Sequence, residues 1–169
     1  MSVSRVGGTA LGGGAVVGLG RALVGPRSFA ELCALAATGS RAGVDLLVSD
    51  IYGPGDIALN GDLTAANFGR LARPGAASPE PADLMAGVMG LVGENVALVT
   101  VGLAVSARVH RIVFAGTTLS GNPVLAEVLV GVTAMLGRPS IVLEDGEFCG
   151  AVGALELASR HAGRGGIYC

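Results

Sequence analysis

The 169 residues contain no lysine and no tryptophan, and only two tyrosines and four phenylalanines. Each gap removes a class of function. All 11 basic residues are arginines, so the Gly-Lys-Ser/Thr ending of a Walker A loop is excluded. A formal charge of −2 and the shortage of aromatics leave neither a broad positive surface for duplex nucleic acid nor a stacking platform for a single strand. Cys33, Cys149 and Cys169 are an odd, scattered set without the paired spacing of a zinc site or a disulfide framework, which suits a reducing cytoplasm. No charged region followed by an unbroken apolar stretch and a cleavage site opens the chain, so no signal peptide is read. Charged residues are 14% and apolar ones 51%, ample for a core, and the length suits a single domain over 1–169 with an internal loop over 71–81.

Glycine is what the chain has in excess, with 29 residues. The densest cluster lies in Arg5-Val6-Gly7-Gly8-Thr9-Ala10-Leu11-Gly12-Gly13-Gly14. Residues without side chains let a backbone approach a phosphate, and successive N–H groups in turn conformations form an anion-binding nest that needs no lysine. A tight turn between a strand and a helix would use the same glycines, and both readings stand at this point.

The rest alternates between helical and strand patterns. Val3 to Gly7 is expected as a short strand, and Ala15 to Leu23 as a helix whose first N–H groups face the glycine loop, an arrangement that favours phosphate. Ser28-Phe29-Ala30-Glu31 is a capping box opening a second helix that Gly39 ends. Gly53-Pro54-Gly55-Asp56 marks an exposed turn within 50–61. Arg73 to Pro81 has the composition of a loop, with Ser78 as N-cap and Pro79 as first helical residue of a long helix. Leu84 to Ala107 is long enough to cross a bilayer, yet Glu94-Asn95 stands near its middle, where a lone carboxylate is costly; a buried helix is the favoured reading. Arg111 to Ala115 reads as a buried strand. Asn122-Pro123 opens a helix to about Leu136, Ser140 to Leu143 forms another strand, and Gly150 to His161 forms a last helix with Gly163 as C-cap. Strands alternating with helices point to a parallel or mixed sheet.

Ligands of such folds collect at the carboxyl ends of strands, which selects Gly116-Thr117-Thr118 and Glu144-Asp145-Gly146. Thr117 either bonds a nucleotide or caps the turn before Asn122. Glu144 and Asp145 either handle a metal or a proton, or form a solvated corner. His110 and His161 have no visible Ser or Cys partner and read as surface residues.

Arg5-Val6-Gly7-Gly8-Thr9 with Gly12-Gly13-Gly14, then Pro54-Gly55-Asp56, then Gly61-Asp62-Leu63-Thr64-Ala65-Ala66-Asn67-Phe68-Gly69, resembles type II pantothenate kinase. Gly90-Leu91-Val92-Gly93-Glu94-Asn95, Ile112-Val113-Phe114-Ala115-Gly116 and Phe148-Cys149-Gly150-Ala151-Val152-Gly153-Ala154-Leu155 continue the likeness, which runs from about Arg5 to Leu157. It implies an α/β fold: the second lobe of an actin-like ATPase (ribonuclease H-like) fold, with an incomplete mixed sheet flanked by helices. It also implies transfer of the ATP γ-phosphoryl group to the primary hydroxyl of pantothenate, the first step of coenzyme A synthesis. On the resemblance, Gly12, Gly13, Gly14, Ala15, Val16 and Val17 line the nucleotide, Phe29 and Thr117 lie against ATP, and Arg5 contacts pantothenate. The family's Asp-x-Gly-Gly-Thr loop, which holds Mg²⁺ and phosphates, and its general-base Glu precede the segment matching Arg5. The chain is therefore expected to be inactive without a complementing N-terminal lobe, and no catalytic or metal-binding residue is assigned within it. Homodimers are implied too, with Ala86, Gly90, Gly93 and Ala97 permitting either helix contact between subunits or internal packing.

Overall fold

A computed structural model describes residues 3–56 and 60–162. Its centre is the long helix that the apolar run 84–107 foretold. The elements in chain order are α1 (Gly13–Val24), α2 (Phe29–Ala36), β1 (Leu46–Leu47), β2 (Thr64–Ala66), α3 (Pro81–Ser106), β3 (Ile112–Phe114), α4 (Pro123–Met135), β4 (Ser140–Val142) and α5 (Cys149–Ala162), with short 3₁₀ turns at Arg41–Gly43, Val48–Asp50 and Gly146–Phe148. This is a mixed α/β arrangement with two small sheets: β1 and β2 are antiparallel, whereas β3 and β4 are parallel with Val113 opposite Ile141.

Helix α3 packs against α1, α2 and α4, and Met85, Val88, Met89 and Val92 are buried with Val16 of α1, Leu32 of α2 and Leu125 and Leu129 of α4. Each such side chain contributes about 1.5–3 kcal/mol through removal from water. The helix has the length and mean hydropathy, 1.8, of a membrane span, but half of its most apolar window is covered by the protein itself. Ala86, Gly90, Gly93 and Ala97 are all buried inside the chain. A Cβ on Gly93 would stand 2.6 Å from Val128 Cγ1, so this glycine is what lets α4 approach. The small residues thus serve internal packing.

Local rules account for several helix ends. The Ser28 hydroxyl accepts from the Glu31 N–H, and Glu31 returns a bond to the Ser28 N–H, the reciprocal pair that starts α2. Asn122 Oδ1 accepts the Leu125 N–H, and Pro123 occupies the first position of α4.

Three expectations are corrected. Residues 3–9 form no strand, because no neighbouring strand pairs with them among the described residues, and a ladder needs a partner. The long helix begins at Pro81 with Glu80 as N-cap, not at Pro79 with Ser78. Tertiary contact sets that start: the Ser40 N–H donates to Asp83 Oδ1 at 2.7 Å, and a Cβ on Gly39 would collide with the Ala82 carbonyl. Gly39 is therefore a contact glycine, and α2 already stops at Ala36 with Ala37 as its cap. Residues 71–80 hold no helix or strand, as the prolines required, while Gly163 lies outside the described residues.

Candidate functional site

Gly13, Gly14, Val17, Phe29, Thr117 and Thr118 line one open cavity of about 450 Å³. The sequence explains how these come together. Helix α1 starts inside the glycine run with no acidic residue in its first turn and no side-chain cap on Gly12, so its first N–H groups keep their positive dipole end available to an anion. A Cβ at Gly13 would collide with Thr118 Oγ1, whereas one at Gly14 would meet nothing within 4 Å. Gly13 thus brings the helix end against the threonines, and Gly14 leaves the approach open. Phe29, held at the first position of α2 by the capping box, supplies the apolar wall.

The two threonines follow β3. Gly116 has φ 130°, a conformation that favours glycine, and reverses the chain there. The Leu119 N–H then donates to the Gly116 carbonyl at 3.1 Å. Asn122 Nδ2 donates to the Thr118 carbonyl at 3.2 Å, so the same Asn that caps α4 also fixes this loop. The Thr117 and Thr118 hydroxyls make no hydrogen bond among the described residues. Because β3 and β4 are parallel, this loop and the turn at Glu144-Asp145-Gly146 lie at one end of the sheet, and Gly146 sits against Ala115.

Five of the residues read from sequence, Gly13, Gly14, Val17, Phe29 and Thr117, therefore share this cavity. Gly12 lines an adjoining apolar cavity of about 180 Å³ with Val92, Val96 and Phe114, which Thr118 also borders. Val16 is fully buried in the core, its N–H donating to the Gly12 carbonyl, and Ala15 packs against the same core, so neither side chain faces the cavity. Arg5 is exposed outside it, on the stretch whose Gly7 lies against Leu103 of α3. Glu144 and Asp145 line a different, shallow cavity with Phe148 and Val152. His110 is exposed. Thr118 is the residue that sequence reasoning left unassigned; its place beside Thr117 in the strand-end loop was the available signal.

A second polar cluster was not foreseen. Arg41 bonds Glu94 of α3 and also donates to the Asp62 carbonyl. Glu94 is thereby neutralised inside the helix bundle. Fully buried Asp45 lies beside this pair, its Oδ1 accepting the Phe68 N–H at 2.7 Å and its Oδ2 without a partner among the described residues. Burial pushes the Asp45 carboxyl above the usual Asp range, against the opposing pull of the Phe68 N–H and Arg41, and Glu94 adds to the rise. Phe68 has φ 55°, unusual for an aromatic residue, so Asp45 anchors a strained turn. Arg70 bonds both oxygens of Asp50 at 2.7 and 2.8 Å nearby. The Leu47 N–H and then Arg70 hold the Asp50 carboxyl below its ordinary range.

Glycine loop, uncapped helix end, aromatic wall and strand-end hydroxyls meet in one open cavity of a mixed α/β protein. Comparison with known proteins narrows the class. The Fumble family matches residues 1–156. The chain is 36% identical over 153 residues to the type II pantothenate kinase of Staphylococcus haemolyticus, an overlap of 90% of this chain and 58% of that protein. It is 35% identical over 156 residues to the type II pantothenate kinase of Bacillus cereus, covering 92% of this chain and 57% of the relative. The corresponding figures for the type II pantothenate kinase of Staphylococcus aureus are 36% over 156 residues, 92% and 58%. The chain belongs to the Fumble family, whose curated relatives here carry the name type II pantothenate kinase. It spans less than three-fifths of the length of those relatives.

Proposed function

We propose that this chain is the nucleotide-holding lobe of a pantothenate kinase, which uses ATP to convert pantothenate to 4'-phosphopantothenate in the first step of coenzyme A synthesis. The observation that carries this reading is the cavity joining Gly13, Gly14, Val17, Phe29 and Thr117. In this reading the β- and γ-phosphates meet the N–H groups at the start of α1, Thr117 and Thr118 donate to phosphate or ribose oxygens, and Phe29 with Val17 flanks the base. The pantothenate hydroxyl oxygen forms a bond to the γ-phosphorus, the bond from that phosphorus to the bridging oxygen breaks, ADP leaves, and the hydroxyl proton passes to a base. Phosphoryl transfer depends mostly on positioning and charge stabilisation, so these contacts hold the donor without completing the catalyst.

The base and the metal loop belong, on the family likeness, to the portion of the relatives that this chain does not match. Mg²⁺ would neutralise phosphate charge. Among the described residues no group of three or more His, Cys, Asp and Glu stands together. Arg5 is the candidate pantothenate contact once that portion is in place. The lobe is read as one domain of an actin-like ATPase fold, working as a cytoplasmic dimer.

Titration with a fluorescent ATP analogue tests the first half of the proposal: the 169 residues alone should bind it, and failure to bind would remove the nucleotide site. A turnover assay tests the second half. Pantothenate should be phosphorylated only when the chain is joined to the portion of a relative that it does not match. ATP binding without turnover in that fusion would make the chain a nucleotide-binding module instead.

A further inference from the structure

The parallel pair β3–β4 is covered on one side only. Ile112 and Phe114 point into the core, whereas their neighbours Val113 and Ile141, which face each other across the strands, are 56% and 60% exposed. Leu143 continues that outer row, and Phe148 and Val152 border a shallow cavity of about 740 Å³ beside it. On α5, Val152 and Leu155 are 62% and 69% exposed, and the helix packs mainly on the preceding 3₁₀ turn. Parallel sheets are normally buried on both faces, and two strands do not make an independently stable sheet. An apolar row of this kind, continued onto a helix, has the character of an uncovered interior.

The relatives supply the missing volume. Each extends well beyond the matched region, with the overlap covering 57–58% of their length. We infer that the outer face of β3–β4, with Phe148 and the exposed row of α5, is the docking surface for the portion of a type II pantothenate kinase that this chain does not match, whether that portion is joined to it or carried on another polypeptide. This rests on the reading of the chain as one lobe of such a kinase. The occupant is a folded segment presenting an apolar face of its own. The row itself, Val113, Ile141 and Leu143, carries no charge, and the acidic residues Glu144, Asp145 and Glu156 line the cavity beside it with Phe148 and Val152.

Thiol labelling tests this directly. In a Cys149→Ala, Cys169→Ala background, Val113→Cys and Leu98→Cys are compared in the 169-residue chain and in a fusion carrying the unmatched portion of the Staphylococcus aureus relative. Leu98 lies on α3, away from the row, and is 49% exposed. The thiol at position 113 should react freely in the chain alone and about tenfold more slowly in the fusion, while that at 98 reacts alike in both. Equal reactivity of the thiol at 113 in both proteins would overturn the inference. Concentration-dependent protection in the chain alone would assign the face to a second copy, and concentration-independent protection would assign it to α5 folding back; either overturns it too. A second measurement needs no fusion: Val113→Thr with Ile141→Thr, uncharged and still β-branched, should remove about half of the fluorescence of an apolar dye bound to the chain, without shifting its thermal midpoint. No loss of dye, or a lowered midpoint, would show the face already covered. The ATP titration is read separately, so loss of the nucleotide site and loss of the docking surface remain distinguishable.

Discussion

The chain has two polar regions of opposite character. Around Arg41, Glu94 and Asp45 each charged group has a partner within the fold, Asp45 Oδ2 alone being left buried without one among the described residues, and the cluster ties the 62–68 segment to α3. Around the start of α1 the polar groups are left open: helix N–H groups without a cap and two hydroxyls facing a cavity. Saturated polar groups hold a structure, and unsaturated ones wait for something else. The difference separates groups engaged within the fold from groups free to meet the proposed ligand, although both sets are polar and both touch glycines.

The widest separation is expected from Arg41→Met. Removing the guanidinium leaves Glu94 buried without its partner, at a cost of about 3 kcal/mol in urea unfolding. The affinity of any folded fraction for an ATP analogue should change little, and an equal loss of both would erase the distinction. Gly13→Ala should do the reverse. Its Cβ collides with Thr118 Oγ1, so the helix end and loop must part, and affinity for the analogue should fall about tenfold, or 1.4 kcal/mol, while the urea midpoint moves only slightly. Thr118→Val keeps the shape and removes one hydroxyl, with a loss of binding of about 1 kcal/mol.

The smallest effect is a pH dependence. Because the folded-state pKa of Asp45 is raised, the native protein binds a proton more tightly than the unfolded chain does. That contribution is fully present below the ordinary Asp pKa of about 4 and is lost as pH rises through the raised value. Asp45→Asn removes the titration and retains an oxygen for the Phe68 N–H. The unfolding free energy of the variant relative to the parent should therefore rise between pH 4 and pH 7 in urea titrations. A flat difference would mean that Asp45 binds its proton no more tightly in the fold than in the unfolded chain.

Much of this contrast was legible in the residues. The capping box at Ser28, the Asn122-Pro123 start and the strand around Val113 follow local chemistry, and the structure keeps them. Gly13, Gly14 and Thr117 were readable because a glycine loop before a helix and a hydroxyl after a strand are local signals, whereas Val17 and Phe29 came only from the family resemblance. The start of α3 was misplaced because Ser78-Pro79 offers a better local cap than Glu80-Pro81, while the deciding contacts come from Gly39 and Ser40, about 40 residues away. The charged cluster was hidden for the same reason: Arg41, Asp45, Asp62 and Glu94 carry no shared spacing, and only folding brings them together. Glu94 marked a charge that the long helix has to answer, without revealing which arginine would answer it.

Glu94 and Gly93 are consecutive on α3 yet engage opposite neighbours, the first gripping Arg41 and the second receiving Val128 of α4. A rod clamped on two sides at adjacent positions cannot roll about its own axis without breaking a charge pair or driving a methyl group into a backbone. Val92 and Val96, which form the floor beneath Gly12 and Thr118, inherit that immobility. Thr118, which borders both this floor and the open cavity, thus rests on a surface already set, and a ligand entering that cavity would find the entropy of ordering it spent during folding rather than at each binding event.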